Sequence, residues 1–330
     1  MTTVSDLTES ELIERIRGLL PPAPAWLVVG IGDDAAVVTP PRNRLEVLTV
    51  DAIVEGVHFD RRFTPPAAVG HRALAVNLSD LAAMGAEPRL ALLSLALPAG
   101  EPVSDFDCMV TGLAALAGRY GVHVVGGNLT RSPGPLMVDV TMAGVVKRRQ
   151  VLTRRGARPG DEIYVSGSVG AAAAGLEMLR TSPAPADNPC TARYLYPEPR
   201  VRLGLMLGRG RAATACVDLS DGLADGIRRI AEASGVGAAI DAGAVPIEPD
   251  AASWFGERGM DPVVAAMTGG DDYELLFTVR PRLRGRLSAA TQHGQTPITR
   301  IGVCTSERGV VLRRAPGVES PISGGYTHFR

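Results

Sequence analysis

Apolar residues recur along this chain with two periods, one typical of helices and one of strands. Leu74, Leu78 and Leu81 stand at positions i, i+4 and i+7, which predicts a helix over 66–85. The aliphatic run 45–50 predicts a strand that ends at Asp51. Further helices are predicted after a Thr8–Glu11 capping box and at 106–120, 171–180 and 222–234, and further strands at 26–31, 91–97, 122–125, 136–146, 162–165, 212–217 and 274–279. Strands and helices alternate in both halves, so the pattern favours an α/β or α+β fold.

The chain is long enough for two hydrophobic cores. A single compact core rarely holds 330 residues, so two domains are expected. The segment 147–160 carries six Lys or Arg residues, has little apolar content and ends in Pro159-Gly160, which is typical of a linker. We therefore predict an N-terminal domain at 1–148 and a C-terminal domain at 149–330. Within the second domain, the proline-rich segment 181–200 is predicted to be a loop.

Charge and composition exclude several classes of protein. The formal net charge is −1, from 34 basic and 35 acidic side chains, which argues against a nucleic-acid or membrane partner bound by overall charge. The longest uncharged run, 18–32, has about fifteen residues and contains prolines, fewer than the roughly 18 that a membrane span needs. The N-terminus is acidic, unlike a signal peptide, and four widely spaced cysteines indicate neither a zinc site nor disulfides. A soluble cytoplasmic protein is expected.

Several acidic side chains stand at predicted strand ends and helix starts, where α/β folds collect ligand groups. Asp51 and Asp218 end strands, and Asp221 opens a helix. Asp33 and Asp34 follow a Gly-x-Gly turn, and Asp80 lies on a helix away from its apolar stripe. If several converged unpaired their charges would be costly, and Mg²⁺, which binds a few carboxylates together with phosphate oxygens, would relieve that cost. Each acid also has a simpler explanation. The Gly-Asp-Asp turn can be solvated, Asp80 can lie on the surface, and Ser220 or Asp221 can cap a helix.

Common catalytic and nucleotide-binding motifs are absent. No P-loop motif occurs, and Gly-Ser-Val-Gly at 167–170 lacks the full spacing of a dinucleotide site, so tight packing of a strand on a helix explains it equally well. Arg154 and Arg155 could clamp a phosphate or form a solvated linker face. His58 lies beside the end of a predicted strand, and an isolated histidine in such a position is more often structural than catalytic. No spacing of nucleophile and base suggests covalent catalysis.

Eight motifs in order along nearly the whole chain resemble the thiamine-monophosphate kinase family, which shares an ATP-binding superfamily with aminoimidazole ribonucleotide synthetase and selenophosphate synthetase. The motifs are GIGDDAAVV (30–38), TVDAIVEGVHF (49–59), HRALAVNLSDLAAMGAEP (71–88), VVGGNLTR (124–131), LTRRGARPGDEIYVSG (152–167), VDLSDGL (217–223), GGDDYELLFTV (269–279) and GGYTHF (324–329). The resemblance implies an N-terminal α/β domain whose sheet pairs with that of a second subunit in a homodimer, and a C-terminal α/β domain.

The resemblance also implies an activity and a set of site residues. The activity is transfer of the γ-phosphoryl group of ATP to thiamine monophosphate, which gives thiamine diphosphate and ADP. The implied magnesium ligands are Asp34, Thr49, Val50, Asp51, Asp80, Asn128, Asp218 and Asp221; Tyr120, Gly127, Asn128, Arg154 and Ser220 would bind ATP; His58, Asp271 and Tyr326 would bind the thiamine substrate. Three of these depart from the family pattern: Val50 replaces a common Thr, Asn128 an Asp and Asp271 a frequent Glu.

The chemistry agrees with the missing base. A phosphate monoester has a second pKa near 6, so at neutral pH it is already largely an anionic nucleophile and direct in-line transfer needs no covalent intermediate. Two alternatives remain. One is another synthetase of the superfamily, although no cysteine precedes Cys108, where a selenophosphate synthetase would have an N-terminal Cys or selenocysteine. The other is a regulator that binds nucleotide or thiamine without turnover, which the uncharged Asn128 would favour.

Overall fold

The computed structural model describes residues 2–181, 188–294, 296–322 and 324. It divides into two compact units, the first made of Met1–Leu78 with Glu87–Lys147 and the second of Ser79–Ala86 with Arg148–Arg330. Each unit combines helices with its own β-sheet, so the predicted mixed α/β class is confirmed. No disulfide joins the four cysteines. Over the described ranges, no helix combines the length and apolar character needed to cross a membrane.

The first unit is built on a four-stranded sheet. Its helices are α1 (Glu9–Leu19), α2 (Pro66–Ala83) and α3 (Val103–Tyr120), and its strands are β1 (Leu27–Val29), β2 (Val37–Val38), β3 (Leu45–Val54), β4 (Glu87–Pro98), β5 (His123–Ser132) and β6 (Met137–Val146). The predicted capping box is present, with Thr8 as the N-cap of α1. The sheet order is β3-β6-β4-β5, in which only β4 and β5 run parallel, and β1 and β2 form a separate hairpin.

The two faces of this sheet differ in burial. Ile53, Val140 and Leu93 lie on one face and are buried. Side chains alternate between the faces of a strand, so the opposite face carries residues such as Leu48 and Val50, which are 70% and 58% exposed. The apolar side chains of Leu48 and Val50 on β3 are therefore exposed on this face of the sheet.

The second unit contains a seven-stranded sheet. Its strands are β7 (Glu162–Ser166), β8 (Ala215–Asp218), β9 (Gly237–Asp241), β10 (Leu275–Val279), β11 (Ile298–Thr305), β12 (Val310–Ala315) and β13 (Val318–Pro321), and its helices are α4 (Ala171–Thr181), α5 (Pro189–Leu195), α6 (Val201–Gly210), α7 (Leu223–Ser234), α8 (Pro249–Glu257), α9 (Pro262–Thr268) and α10 (Arg284–Gly294). The sheet order is β13-β12-β9-β11-β7-β10-β8. Its core includes Ile163, Val217, Ile227 and Leu276.

Two predicted strand ends are wrong, and each has a physical reason. β3 does not end at Asp51, because it pairs with β6 over its full length and Asp51 opposes Val140. β5 likewise continues through Gly127, where a Cβ atom would lie 1.8 Å from the carbonyl oxygen of Leu93, so glycine allows the two strands to approach.

The segment 181–200 contains helix α5 among its described residues, so the prediction of a loop is wrong. Asn188 caps the helix by accepting a hydrogen bond from the Cys190 amide at 2.8 Å, and Pro189 occupies its first turn. Pro189 is therefore part of a helix start with an Asn cap, although the proline-rich composition of the segment predicted a loop. In addition, β10 is followed by three further strands that the apolar pattern did not reveal.

Candidate active site

The acids singled out in the sequence fall into two sets. Asp34 and Asp51 belong to the first unit, whereas Asp80, Asp218 and Asp221 belong to the second, because the last turns of α2 from Ser79 onward group with that unit. Within the described residues, the structure contains no group of three or more His, Cys, Asp or Glu side chains arranged to hold a metal ion. The acids of each set are therefore described within their own unit.

The strongest electrostatic feature of the second unit is a pair of carboxylates. Asp218 ends strand β8, is 6% exposed and accepts a hydrogen bond from the Ser79 hydroxyl at 2.8 Å. Burial raises the pKa of Asp218 far above its ordinary value, and the charge of neighbouring Asp80 raises it further. The hydrogen bond from Ser79 and the charge of Arg154 act in the opposite direction. A bound cation would stabilise both carboxylates in their ionised form.

Ser220 and Asp221 follow β8, but neither caps the next helix. Gly222 is the N-cap of α7, with φ +100° and without a side-chain cap, so the simpler explanation of these two residues is wrong. Asp221 instead accepts a hydrogen bond from Arg229 at 2.8 Å. The Ser220 carbonyl oxygen accepts a hydrogen bond from the Asp271 amide at 2.8 Å, which joins this turn to the Gly-Gly-Asp-Asp segment.

Asp271 lies in a strained turn. Its φ is +67° and that of Tyr273 is +50°, in the left-handed region that side chains other than glycine seldom adopt. The Tyr273 hydroxyl donates a hydrogen bond to the Asp271 carboxylate at 2.9 Å. Strained backbone of this kind is often found at ligand sites, where the surrounding structure holds it in place. The turn keeps the partly exposed Asp271 carboxylate in a fixed position.

The neighbouring acid Asp272 has a structural part. It is almost fully buried and accepts hydrogen bonds from the amides of Gly170 and Ala172 at 2.6 and 3.1 Å, at the start of α4. Burial raises the pKa of Asp272 from 3.8 to about 7, although these backbone hydrogen bonds lower it. The Gly170 amide of the Gly-Ser-Val-Gly turn therefore donates its hydrogen bond to an internal carboxylate, which agrees with the packing interpretation of that motif.

Glu274 forms a buried network that sequence reasoning missed. Its fully buried carboxylate accepts hydrogen bonds from Ser166 at 2.5 Å, from Arg193 at 2.6 Å and from Arg200 Nε at 2.7 Å. A Cβ atom at Gly167 would lie 2.2 Å from the same carboxylate, so only glycine fits beside it. Glu274 is visible in the sequence as the last acid of the GGDDYE motif. Its partners could not be predicted, because Arg193 and Arg200 are 81 and 74 residues away along the chain.

The first unit places its candidate ligands on a hairpin loop and on strands. Asp34 is exposed, and its amide donates to the Asp33 carboxylate at 2.8 Å in the loop between β1 and β2. On β3 the side chains of Thr49 and Asp51 share the face of the sheet opposite to that of Val50.

Asn128 lies on β5, where it pairs with Ser94 of β4, and Ser94 also pairs with Asp139 of β6. Side chains that are paired across strands point to the same face of a sheet, so Asn128 shares its face with Asp139. Asp51 pairs with Val140 and therefore points to the other face. Burial raises the pKa of Asp139.

Three further candidates of the first unit have identified surroundings. The ring of His58 accepts a hydrogen bond at Nδ1 from the Val54 amide at 3.1 Å, so its proton is on Nε2 when the ring is neutral. Tyr120 is the last residue of α3, and the guanidinium of Arg119 lies 5.7 Å from the centre of its ring. A Cβ atom at Gly127 would lie 1.8 Å from the Leu93 carbonyl oxygen of β4, so this position needs glycine. Tyr326 lies outside the described residues.

Comparisons with known proteins decide the family. The N-terminal domain of AIR synthase related proteins matches residues 32–146, and the C-terminal domain of the same proteins matches residues 158–314. Thiamine-monophosphate kinase of Bacillus subtilis (strain 168) is 35% identical over 309 residues, which cover 92% of this chain and 94% of that protein. The chain belongs to the thiamine-monophosphate kinase family.

Solved structures agree with this assignment. The crystal structure of thiamine-monophosphate kinase from Stenotrophomonas maltophilia K279a has a TM-score of 0.83 and 39% identity and covers 93% of this chain and 96% of its own. AaThiL complexed with AMPPCP and TMP has a TM-score of 0.77 and 31% identity over 100% of this chain and 99% of its own. The resemblance inferred from eight sequence motifs is thereby confirmed, and the family consists of phosphotransferases.

Proposed function

We propose that this chain transfers the γ-phosphoryl group of ATP to thiamine monophosphate, assisted by Mg²⁺, and so forms thiamine diphosphate and ADP. The observation that carries the proposal is the buried Asp218 carboxylate beside Asp80: burial raises the pKa of Asp218, and repulsion by Asp80 raises it further. The complex of AaThiL with AMPPCP, an ATP analogue, and TMP supports the choice of substrates. Phosphoryl transfer between two polyanions depends mainly on positioning and charge neutralisation, which acid-bound cations provide.

The donor atoms fit magnesium. Carboxylate oxygens are its preferred protein ligands, and a divalent cation would offset the electrostatic repulsion between Asp80 and Asp218. When bound, Mg²⁺ neutralises phosphate charge and aligns the reacting oxygens. The residues that would hold magnesium ions are Asp34, Thr49, the Val50 carbonyl and Asp51 in the first unit, Asn128 on the opposite face of the same sheet, and Asp80, Asp218 and Asp221 in the second unit.

The remaining site residues would bind the two substrates. Arg154, whose positive charge acts on Asp218, would bind the phosphates of ATP together with Ser220, Gly127, Asn128 and Tyr120. His58, Asp271 and Tyr326 would bind the thiamine substrate. Because Nδ1 of His58 already accepts a backbone hydrogen bond, only its Nε2 can contact a ligand. The Asp271 carboxylate, fixed by Tyr273, would face the cationic thiazolium ring.

No residue needs to act as a base or nucleophile. The acceptor phosphate is already largely dianionic at neutral pH, so its oxygen can attack the γ-phosphorus directly while ADP leaves. The chain's own contribution is to position the two phosphates, to orient them in line and to exclude water. We therefore propose direct transfer without a covalent intermediate.

We also propose that the chain works as a homodimer that pairs the exposed sheet face of two first units. Leu48 and Val50 are 70% and 58% exposed on this face, and Leu92 and Met137 are further exposed apolar residues of the same sheet. An apolar patch of this kind is typical of an association surface. A second copy that presents the same patch across a two-fold axis would cover these apolar side chains on both subunits.

The proposed function is tested with Asp218→Asn and a matched control, Asp241→Asn, which changes an exposed acid at the end of β9. We expect Asp218→Asn to lower kcat/KM for thiamine monophosphate by about a hundredfold or more, since several kcal/mol of charge stabilisation depend on the metal. Without Mg²⁺ the same variant should be more stable than the wild type, because the repulsion with Asp80 is gone. Added Mg²⁺ and ATP should stabilise the wild type more than the variant.

The outcomes are separable. Wild-type turnover by Asp218→Asn, or equal losses in the two variants, would overturn the role of this acid. Tight binding of ATP and thiamine monophosphate by the wild type without any thiamine diphosphate would favour the regulator. Release of ADP with an aminoimidazole precursor, but not with thiamine monophosphate, would favour another synthetase of the superfamily.

A further inference from the structure

The second unit contains a cleft whose walls are rich in arginine. Its volume is about 720 Å³, within the range of small-molecule sites. Thr214 and Ser234 contribute hydroxyl groups to its lining. Six arginines line it: Arg155, Arg158, Arg211, Arg280, Arg282 and Arg286.

This arginine cleft lies away from the candidate carboxylate ligands of the second unit, although it adjoins Arg154, whose carbonyl oxygen accepts a hydrogen bond from the cleft residue Ser234 at 3.2 Å. Thr214 immediately precedes β8, whereas Asp218 ends that strand, so the two are about 13 Å apart at 3.3 Å per residue. Arg280 follows the end of β10, whereas Asp271 precedes its start, and β10 runs antiparallel to β8. The cleft thus lies at the opposite end of these strands from the carboxylate pair.

The positive charges in the cleft are not neutralised by the protein. Within the described ranges, none of the six guanidinium groups forms an ion pair, whereas neighbouring Arg284, which does not line the cleft, pairs with Glu162. The nearby buried acid Asp161 accepts hydrogen bonds from the Thr214 hydroxyl at 2.8 Å and the Arg158 amide at 3.1 Å. The buried Nε of Arg280 has no hydrogen-bond partner among the described residues. A buried donor without an acceptor is costly, and an anion in the cleft would supply the acceptor.

One backbone feature also disfavours Arg286 in the absence of an anion. Helix α10 begins at Arg284, has no acidic residue in its first turn and carries Arg286 there, although the positive end of the helix dipole repels cations. An anion at this helix start would reverse that effect.

We propose that the arginine cleft binds a compact anion with two or more linked phosphate groups. Guanidinium groups bind phosphate oxygens in pairs, and six of them around one cavity exceed what a single phosphate can engage. The chain as a whole has a net charge of −1, so overall charge does not favour a nucleic-acid ligand. Inorganic oligophosphate and the diphosphate of a nucleotide share this chemistry.

Calorimetric titration of the full chain with inorganic tripolyphosphate, in EDTA and without nucleotide, tests the proposal. The cleft variant is the double substitution Arg158→Gln and Arg282→Gln. The control double is Arg149→Gln and Arg308→Gln, which removes the same charge at exposed positions outside the cleft lining. We expect affinity to fall by about tenfold for each cleft guanidinium removed and to change less than about twofold in the control. Activity without oligophosphate should be equal in all three proteins.

Parallel titrations distinguish the sources of the ligand. Orthophosphate should bind more weakly than tripolyphosphate, and ADP tested in the same way shows whether a nucleoside adds to the affinity. Equal losses in both double variants would mean attraction by overall charge and would overturn the proposal, as would binding that neither variant weakens. A single-stranded oligonucleotide that displaces tripolyphosphate, with affinity that rises with its length, would also overturn it. None of these outcomes depends on the proposed phosphoryl transfer.

Discussion

The buried charge network around Glu274 makes a quantitative prediction about stability. The Glu274 carboxylate has no exposed surface and is paired with Arg193 and Arg200, and Arg200 Nε lies 2.7 Å from one of its oxygens. Removing one partner of a buried ion pair costs about 3–5 kcal/mol because the other charge stays buried. Arg193 remains in Arg200→Gln, so we expect the lower end, about 3 kcal/mol. That is a large part of the roughly 5–15 kcal/mol that keeps a protein folded.

Urea unfolding measures this loss. With a slope of about 2–3 kcal/mol per molar urea, the midpoint of Arg200→Gln should fall by about 1 M or more. Arg180→Gln is the matched control, because Arg180 pairs with Glu177 on the surface and both side chains are more than half exposed. A surface pair contributes about 0–1 kcal/mol, so the control midpoint should hardly move. Equal midpoints for the two variants would refute the assignment of Glu274 as a buried structural charge.

Two further predictions concern association and pH. Leu48→Glu should convert the proposed dimer to monomers in sedimentation velocity, whereas Val318→Glu, on exposed strand β13 of the second unit, should leave the mass unchanged; a wild-type monomer would contradict the proposed interface. Burial raises the pKa of Asp272 to about 7, so the stability that its proton contributes is complete below about pH 4 and is lost as the pH rises to about 7. The stability of the wild type relative to Asp272→Asn should fall over that range, and a difference that rises with pH would contradict the assigned direction.

Local patterns predicted the elements whose signals are local. The Thr8 capping box and the i, i+4, i+7 leucines of α2 depend only on neighbouring residues, and both helices are present. Strand ends depend on pairing with distant segments. Asp51 therefore lies inside a strand, because the ladder with β6 continues for three residues beyond it, to Val54. The three last strands lack a strong alternation and are specified by their position in the sheet.

The site shows the same division. Sequence could place acids at strand ends and, through the family resemblance, name the ones that bind ligands. It could not separate Asp271 from Asp272, which are adjacent in one motif. The structure gives one of them a strained, partly exposed turn and uses the other to accept the amides of α4. The partners that decide this lie far away along the chain.

Two buried acids on neighbouring strands show how the fold treats charge differently at one end of the sheet. Glu274 immediately precedes β10 and is neutralised by Arg193 and Arg200. Asp218 of β8 is the strand partner of Leu275, the residue that follows Glu274. It accepts a hydrogen bond from the Ser79 hydroxyl and is repelled by the Asp80 carboxylate, and within the described ranges it forms no ion pair. A fold that places arginines around one acid could place them around the other. Because a buried carboxylate without an ion-pair partner is costly, we propose that a cation arriving with the substrate neutralises Asp218.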